Sequence, residues 1–107
     1  IVLKNGKNVY PEEIEEYIQG IDEIEEVVVY SIKDEDGSEV SLCAELYPDQ
    51  VFASTKSPDE LQKFLFQRID EVTKDLPGYK HIAQIKIRNI EFPKTTSRKI
   101  KRQGIGQ

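Results

Sequence analysis

The sequence holds a single cysteine, Cys43, and a single histidine, His81. One cysteine cannot close an intrachain disulfide, which fits a reducing compartment. One His and one Cys also fall short of a zinc ligand set. No Ser-His-Asp arrangement can be built, and His81, between Lys80 and Ile82, reads as a structural or exposed side chain. Cys43 falls inside a strand pattern and reads as a small core residue rather than a nucleophile. No apolar run approaches bilayer-spanning length, and no stretch is built like a signal peptide. A GxxxxGK[ST] loop is missing, so the chain has no recognisable nucleotide cradle of its own. There is no internal repeat, and no linker rich in Gly, Ser or Pro divides the chain.

What is present is enough for one modest domain with one core: 107 residues, 37% hydrophobic and 33% charged. The balance excludes disorder and collagen-like repeats. The first residue, Ile1, already lies in an apolar run, which reads as a segment of a longer protein. A net charge of −5 disfavours nucleic-acid binding by the whole domain. The charge is polarised, however. Glu12, Glu13, Glu15, Glu16, Asp22, Glu23, Glu25 and Glu26 crowd the front, whereas Lys94, Arg98, Lys99, Lys101 and Arg102 crowd the end. Such a chain can present its basic end to something anionic, or simply carry a solvated acidic face and a basic tail.

Periodicity predicts a small α+β domain. Asn5-Gly6 between two β-branched runs predicts an N-terminal β-hairpin. Pro11 suits the first position of a helix, followed by Glu12 and Glu13 at its positive end. Ile14, Tyr17 and Ile18 form its apolar stripe, and Gly20 suits a left-handed stop. The acids of this helix read as a solvated face. Glu26 to Ile32 and Glu39 to Tyr47 read as an antiparallel pair around an Asp34–Ser38 turn, with Val40, Leu42, Ala44 and Leu46 on the buried face. Residues 51–56 read as a loop. Ser57 and Glu60 form a capping box with Pro58 at the first helical position, opening a helix with Leu61, Phe64, Leu65, Ile69 and Val72 inward. A third strand covers Ala83 to Ile87, and the shift of apolar phase to Ile90 and Phe92 marks a bulge or the strand end. The sum is a three-stranded, mainly antiparallel sheet with two main helices and an N-terminal hairpin.

The chemistry-bearing segment is Pro93-Lys94-Thr95-Thr96-Ser97-Arg98-Lys99-Ile100-Lys101-Arg102. It is a short, turn-prone loop carrying several cations directly after a strand, with a tail expected to be mobile at its end. A lysine there offers a compact point charge with three donors, suited to phosphate or carboxylate oxygens on which charge develops.

This loop resembles the PKTxSGKIxR motif of the adenylate-forming superfamily, which comprises acyl-CoA synthetases, luciferases and peptide-synthetase adenylation domains. Lys4-Asn5-Gly6-Lys7-Asn8-Val9-Tyr10-Pro11-Glu12-Glu13-Ile14-Glu15 resembles the superfamily's KxxGxxVxPxEIE segment, and Leu76-Pro77-Gly78-Tyr79-Lys80 its "L…YK" segment. The three lie in order over nearly the whole chain. Two positions depart from the pattern: Arg98 stands where the family has a glycine before the lysine, and Asn8 where it often has Arg. Asn-Val-Tyr-Pro resembles some long-chain acyl-CoA synthetases more than luciferases or peptide-synthetase domains.

The resemblance implies that residues 1–107 form one domain, the mobile C-terminal lid of an ATP-dependent acid–thiol ligase, whose larger N-terminal adenylation domain lies outside this sequence. Such enzymes form an acyl-adenylate from a carboxylate and ATP, then rotate the lid so that a thiol, commonly of CoA, attacks it. Lys99 matches the lysine that stabilises charge in the first step. Gly6 matches the hairpin glycine that lets backbone approach the pantetheine of CoA, although an Asn-Gly turn needs no ligand to explain it. ATP with Mg2+, CoA and a fatty acid are the expected substrates of the complete enzyme, and none is expected on this segment alone, which should be inactive. The implied setting is cytoplasmic, with the complete enzyme either free or peripheral to a membrane. An adenylation domain loading a carrier protein, or a small module whose basic tail docks an acidic partner, are the alternatives. Acetylation of Lys99 would be a natural way to remove its charge.

Overall fold

The structure, a computed structural model, describes residues 1–97 and 99–102. Arg98 and residues 103–107 lie outside the described residues, and with them the geometry of the glycine-to-Arg98 departure and of the tail's end. The elements run α1 (Pro11–Gln19), β1 (Ile24–Lys33), β2 (Glu39–Pro48), α2 (Gln50–Ala53), α3 (Pro58–Thr73), a 3-10 turn (Gly78–Lys80) and β3 (Gln84–Ile87). This is the α+β domain that the sequence predicts.

Strand order in the sheet is β1-β2-β3. β1 and β2 pair antiparallel, with Val28 opposite Glu45 and Tyr30 opposite Cys43. The turn between them is closed by Gly37 at φ 85° and by Asp34, whose Oδ1 accepts from the Ser38 amide at 2.9 Å. β3 joins β2 in parallel, Cys43 to Gln84 through Leu46 to Ile87. A parallel neighbour needs a crossover, and α3 supplies it. The sheet is therefore antiparallel on one side and parallel on the other.

α1 and α3 pack on one sheet face. Ile14 and Ile18 of α1, Leu61, Leu65 and Ile69 of α3, and Val27, Val29, Leu42, Ala44, Leu46 and Ile85 of the sheet form one apolar cluster with Leu3 and Val9 of the hairpin. The capping box forms as predicted: Ser57 Oγ accepts from the Glu60 amide at 3.2 Å, and Glu60 Oε1 accepts from the Ser57 amide at 3.0 Å. The N-terminal hairpin is tied by a Val2–Asn8 bridge and by Leu3 N–H to Lys7 O at 2.9 Å.

Four local expectations are corrected. Gly20 caps α1 in the right-handed region, φ −73°, so its turn needs no left-handed residue. Residues 51–56 are not all loop, because Asp49 Oδ2 accepts from the Phe52 amide at 2.8 Å and caps the one-turn α2. The buried stripe of α1 runs through Ile14, Glu15 and Ile18, whereas Tyr17 is 45% exposed. The sheet buries part of its other face as well: Val28, Cys43, Glu45 and Phe92 are all buried outside the main cluster, while Val40 is 43% exposed. The apolar phase shift after β3 is the strand end, with Ile90 outward and Phe92 folded back into that second layer.

Leu65 is fully buried between α3 and the sheet. Leu65→Ala is expected to cost about 2–5 kcal/mol, readable as a lower urea midpoint at unchanged slope.

Candidate functional site

The candidate site is built on α1. Two of its acids, Glu13 and Glu15, each receive one of the chain's other motif segments. Lys80 Nζ donates to Glu13 Oε1 at 3.1 Å, while the Lys7 ammonium lies 5.7 Å from the Tyr79 ring centroid. The hairpin tip and the Leu76–Lys80 segment thus dock together at the start of α1. Glu15 receives the end of the chain: Arg102 NH2 donates to its Oε1 at 2.5 Å, with Glu12 at 3.8 Å from the same nitrogen.

Glu15 is the acid that sequence patterning misplaced. Its side chain is only 6% exposed, and its second oxygen accepts from the Val29 amide at 2.8 Å. β1 is an edge strand, so that amide has no strand to bond, and the helix supplies a carboxylate instead. The signal was available in outline. Glu15 lies three residues before Ile18 and four after Pro11, within the inward stripe. The Arg102 guanidinium, facing this carboxylate, is held above its ordinary value.

The Lys99 loop is a small hairpin rooted on the same region. Lys94 and Ile100 form an antiparallel bridge. Thr95 N–H donates to Lys99 O at 2.7 Å, and Lys101 N–H donates to Pro93 O at 2.7 Å. The Lys99 amide approaches Thr95 Oγ1 at 3.3 Å, and Thr95 Oγ1 lies 3.0 Å from Ser97 Oγ. The incoming leg is held by Glu26 of β1, which accepts from the Phe92 amide at 3.1 Å and from Lys94 Nζ at 2.5 Å. That ion pair raises the Lys94 ammonium above its usual value.

The basic tail is therefore not a uniform patch. Lys94 and Arg102 are paired with Glu26 and Glu15. Lys99 is exposed and has no ion pair among the described residues.

Gly6 sits at the tip of the N-terminal hairpin at φ 83°. A Cβ added there would meet nothing within 4 Å. Within this chain the backbone conformation alone calls for glycine. The hairpin leans on the far end of β1 and β2, where Lys4 N–H donates to Glu39 O at 2.7 Å and Lys4 Nζ to Asp34 Oδ2 at 3.1 Å. Glu39 pairs with Lys33, the last residue of β1, whereas the Lys99 loop is rooted at Glu26 near its start. Seven strand residues, roughly 23 Å, separate the two anchors. The structure does not bring Gly6 and Lys99 together.

The remaining candidates behave as structure. Cys43 is buried. His81 Nε2 bonds Leu76 O at 2.7 Å and closes the 3-10 turn. A second polar cluster lies on the outer sheet face: Tyr30 Oη donates to Glu45 Oε1 at 2.9 Å, and Arg88 NH1 donates to Glu45 Oε2 at 2.6 Å. The guanidinium also lies 4.5 Å from the Phe92 ring centroid, a cation–π stack that closes this layer. Burial, then hydrogen bonding to Cys43 and Glu45, pushes the Tyr30 phenol far above its usual value. An open groove of about 370 Å³ is lined by Ala53, Lys56, Pro58, Leu61, Gln62 and Ile87, with neither Lys99 nor Gly6 in its wall. Among the described residues no group of acids, His and Cys is placed to hold a metal ion, and no helix is long and apolar enough to cross a membrane.

Comparison with known proteins places this arrangement. Neither a protein-family model nor a curated protein matches the sequence. Solved structures do. A fatty acyl-CoA synthetase of Mycobacterium tuberculosis is 29% identical, with a TM-score of 0.68, over 95% of this chain and 18% of its own. An acyl-CoA synthetase of Brucella canis is 26% identical, with a TM-score of 0.68, over 91% of this chain and 16% of its own. An adenylation–carrier didomain of a carboxylic acid reductase from Segniliparus rugosus, solved with AMP, is 15% identical but superposes better, at a TM-score of 0.80 over 95% of this chain and 15% of its own. The fold is thus one found within adenylate-forming enzymes. The chain spans less than a fifth of the length of these solved chains.

Two outcomes follow from the geometry. Gly6→Ala is expected to destabilise the chain by about 1 kcal/mol through backbone strain alone, with no steric clash to relieve, measured by urea unfolding. In an absorbance titration of the five tyrosines, Tyr30 is expected to ionise last and only as the chain unfolds. A phenol raised in the folded state adds stability that is full below its ordinary value, about 10, and that drains away as pH rises beyond it.

Proposed function

We propose that this chain is the C-terminal lid of an AMP-forming acid–thiol ligase, and that Lys99 serves its adenylation step. The observation that carries the reading is the Lys99 loop. Lys94 and Arg102 on either side are paired with the domain's own acids, and the Lys99 ammonium is left exposed on the outgoing leg of a braced hairpin, with Lys101 exposed beyond it. The likeness to acyl-CoA synthetases over 95% and 91% of the chain supports the family, as do the three motif segments, which dock on one helix.

In this reading the ammonium stabilises charge that grows on the carboxylate and α-phosphate oxygens as the acyl-adenylate forms. Three donors on a flexible stem suit a target that moves as bonds form. The target, ATP with Mg2+ and the acid, is held by the larger domain. A long-chain fatty acid is the substrate favoured by the Asn-Val-Tyr-Pro segment and by the fatty acyl-CoA synthetase likeness. The hairpin at Gly6 serves the second step, in which its bare backbone lies along the pantetheine of CoA. The separation of roughly 23 Å between the two anchors along β1 supports giving the two loops different steps. The lid turns between the half-reactions.

A carrier-protein thiol is the alternative acceptor. Loading a carrier-protein thiol rather than free CoA uses the same first step. Comparing CoA with a phosphopantetheinylated carrier as acceptor separates the two. A basic-tail docking module would have fewer cations to offer a partner, because Lys94 and Arg102 are already paired.

In the complete enzyme, Lys99→Ala is expected to slow adenylate formation by about 10²–10³-fold while sparing thioester formation from preformed adenylate. Rapid-quench assays of each half-reaction measure this, and equal losses in both would refute the assignment.

A further inference from the structure

The Lys99 hairpin has two legs and two different anchors. The incoming leg is fixed twice by Glu26, through the Phe92 amide and the Lys94 ammonium. The outgoing leg, three residues beyond Lys99, is fixed by Arg102 on Glu15. We infer that Glu15 is a positioning residue for Lys99: clamped between the Val29 amide and the Arg102 guanidinium, its carboxylate fixes the outgoing leg and so sets the reach of the lysine. The inference rests on the role given to Lys99 above, whereas the latch stands on the geometry alone.

Three features make the latch directional. Glu15 Oε2 is committed to the Val29 amide at 2.8 Å, so the carboxylate cannot rotate freely. It is buried beside Ile14 and Ile18 on a helix packed against β1, so it cannot swing to water. The guanidinium, 42% exposed, must come to the acid rather than the reverse. Ion pairs between exposed partners exchange readily with water. Here one partner is part of the core, and leaving it unpaired is costly. The outgoing leg is therefore held to a fixed point on the domain. Releasing Arg102 would leave the outgoing leg tied to the incoming leg alone, through Thr95 N–H to Lys99 O and Lys101 N–H to Pro93 O, and without its own contact with the body of the domain. Misplacement by about 1 Å can cost about 10²-fold in rate.

Glu15→Gln separates the two jobs of the side chain, because the amide oxygen still accepts from Val29 while the charge facing Arg102 is gone. In nitrogen-15 relaxation of this chain, the Thr96, Ser97 and Lys99 amides are expected to fall from rigid order parameters, about 0.85, to below about 0.6. The Val29 amide should keep its protection from exchange. In the complete enzyme the same variant should lower kcat for adenylate formation by about 10–100-fold, with KM for ATP and the thioester step unchanged. Arg102→Met, on the exposed side of the pair, should reproduce both effects should Glu15→Gln fold poorly. Arg102→Lys should rescue part of the rate, and the double variant should be no worse than either single one.

Unchanged loop order in both Glu15→Gln and Arg102→Met would overturn the latch whatever Lys99 does. A loosened loop with full adenylation activity, in an enzyme that Lys99→Ala cripples, would overturn the positioning role and leave the Lys99 reading standing. If Lys99→Ala is itself harmless, the Lys99 reading fails and the positioning role fails with it.

Discussion

A buried carboxylate on a nine-residue helix organises this domain. Glu15 gives one oxygen to the unpaired amide of an edge strand and the other to a guanidinium 87 residues away in sequence. A carboxylate removed from water needs both partners, because desolvation of an ionised group is offset only when its charge and its lone pairs are met. That requirement ties helix, sheet edge and C-terminal segment into one unit. It also blunts β1 as a template for another chain's strand, because a charged side chain occupies the place where a neighbouring strand would bond.

The same logic runs through the other long-range ion pairs. Glu13 receives Lys80, Glu26 receives Lys94, and Glu45 receives Arg88. Each joins an acid from the first half of the chain to a base from the second. Taken along the sequence, the charge looks like an acidic head and a basic tail. In space the two halves largely neutralise each other at the points where they meet. Among the described cations without an ion pair, Lys99 is set apart by its place on a hairpin anchored through Lys94 and Arg102 on its two legs. The polar cluster of Tyr30, Glu45 and Arg88 serves a different end, closing the outer sheet face under Phe92 without an apolar layer of full thickness.

The two measures of likeness rank the solved structures differently. Identity is higher with the two acyl-CoA synthetases, whereas superposition is better with the reductase didomain. Backbone shape answers to packing, whereas identity also counts the exposed residues that packing leaves free. The two need not diverge together.

Local physics made most of the elements legible. The Asn-Gly hairpin, Pro11 at a helix start, the Ser57–Glu60 capping box and the alternation of Leu42, Ala44 and Leu46 each depend on neighbours a few residues away, so the sequence by itself determined them. The same holds for the three motif segments that singled out Lys99 and Gly6. Tertiary structure decided what depends on distant partners. It chose which side of α1 turns inward, Glu15 rather than Tyr17, because that side faces an unsatisfied amide and an incoming guanidinium. It made β3 parallel, because α3 carries the chain across the sheet. It buried the second face of β2, because Arg88 and Phe92 fold back over it. It also set Lys99 and Gly6 at opposite ends of β1, since each is anchored through residues remote from it in sequence. A charge pattern shows which groups must find partners, and only the folded chain shows which ones do.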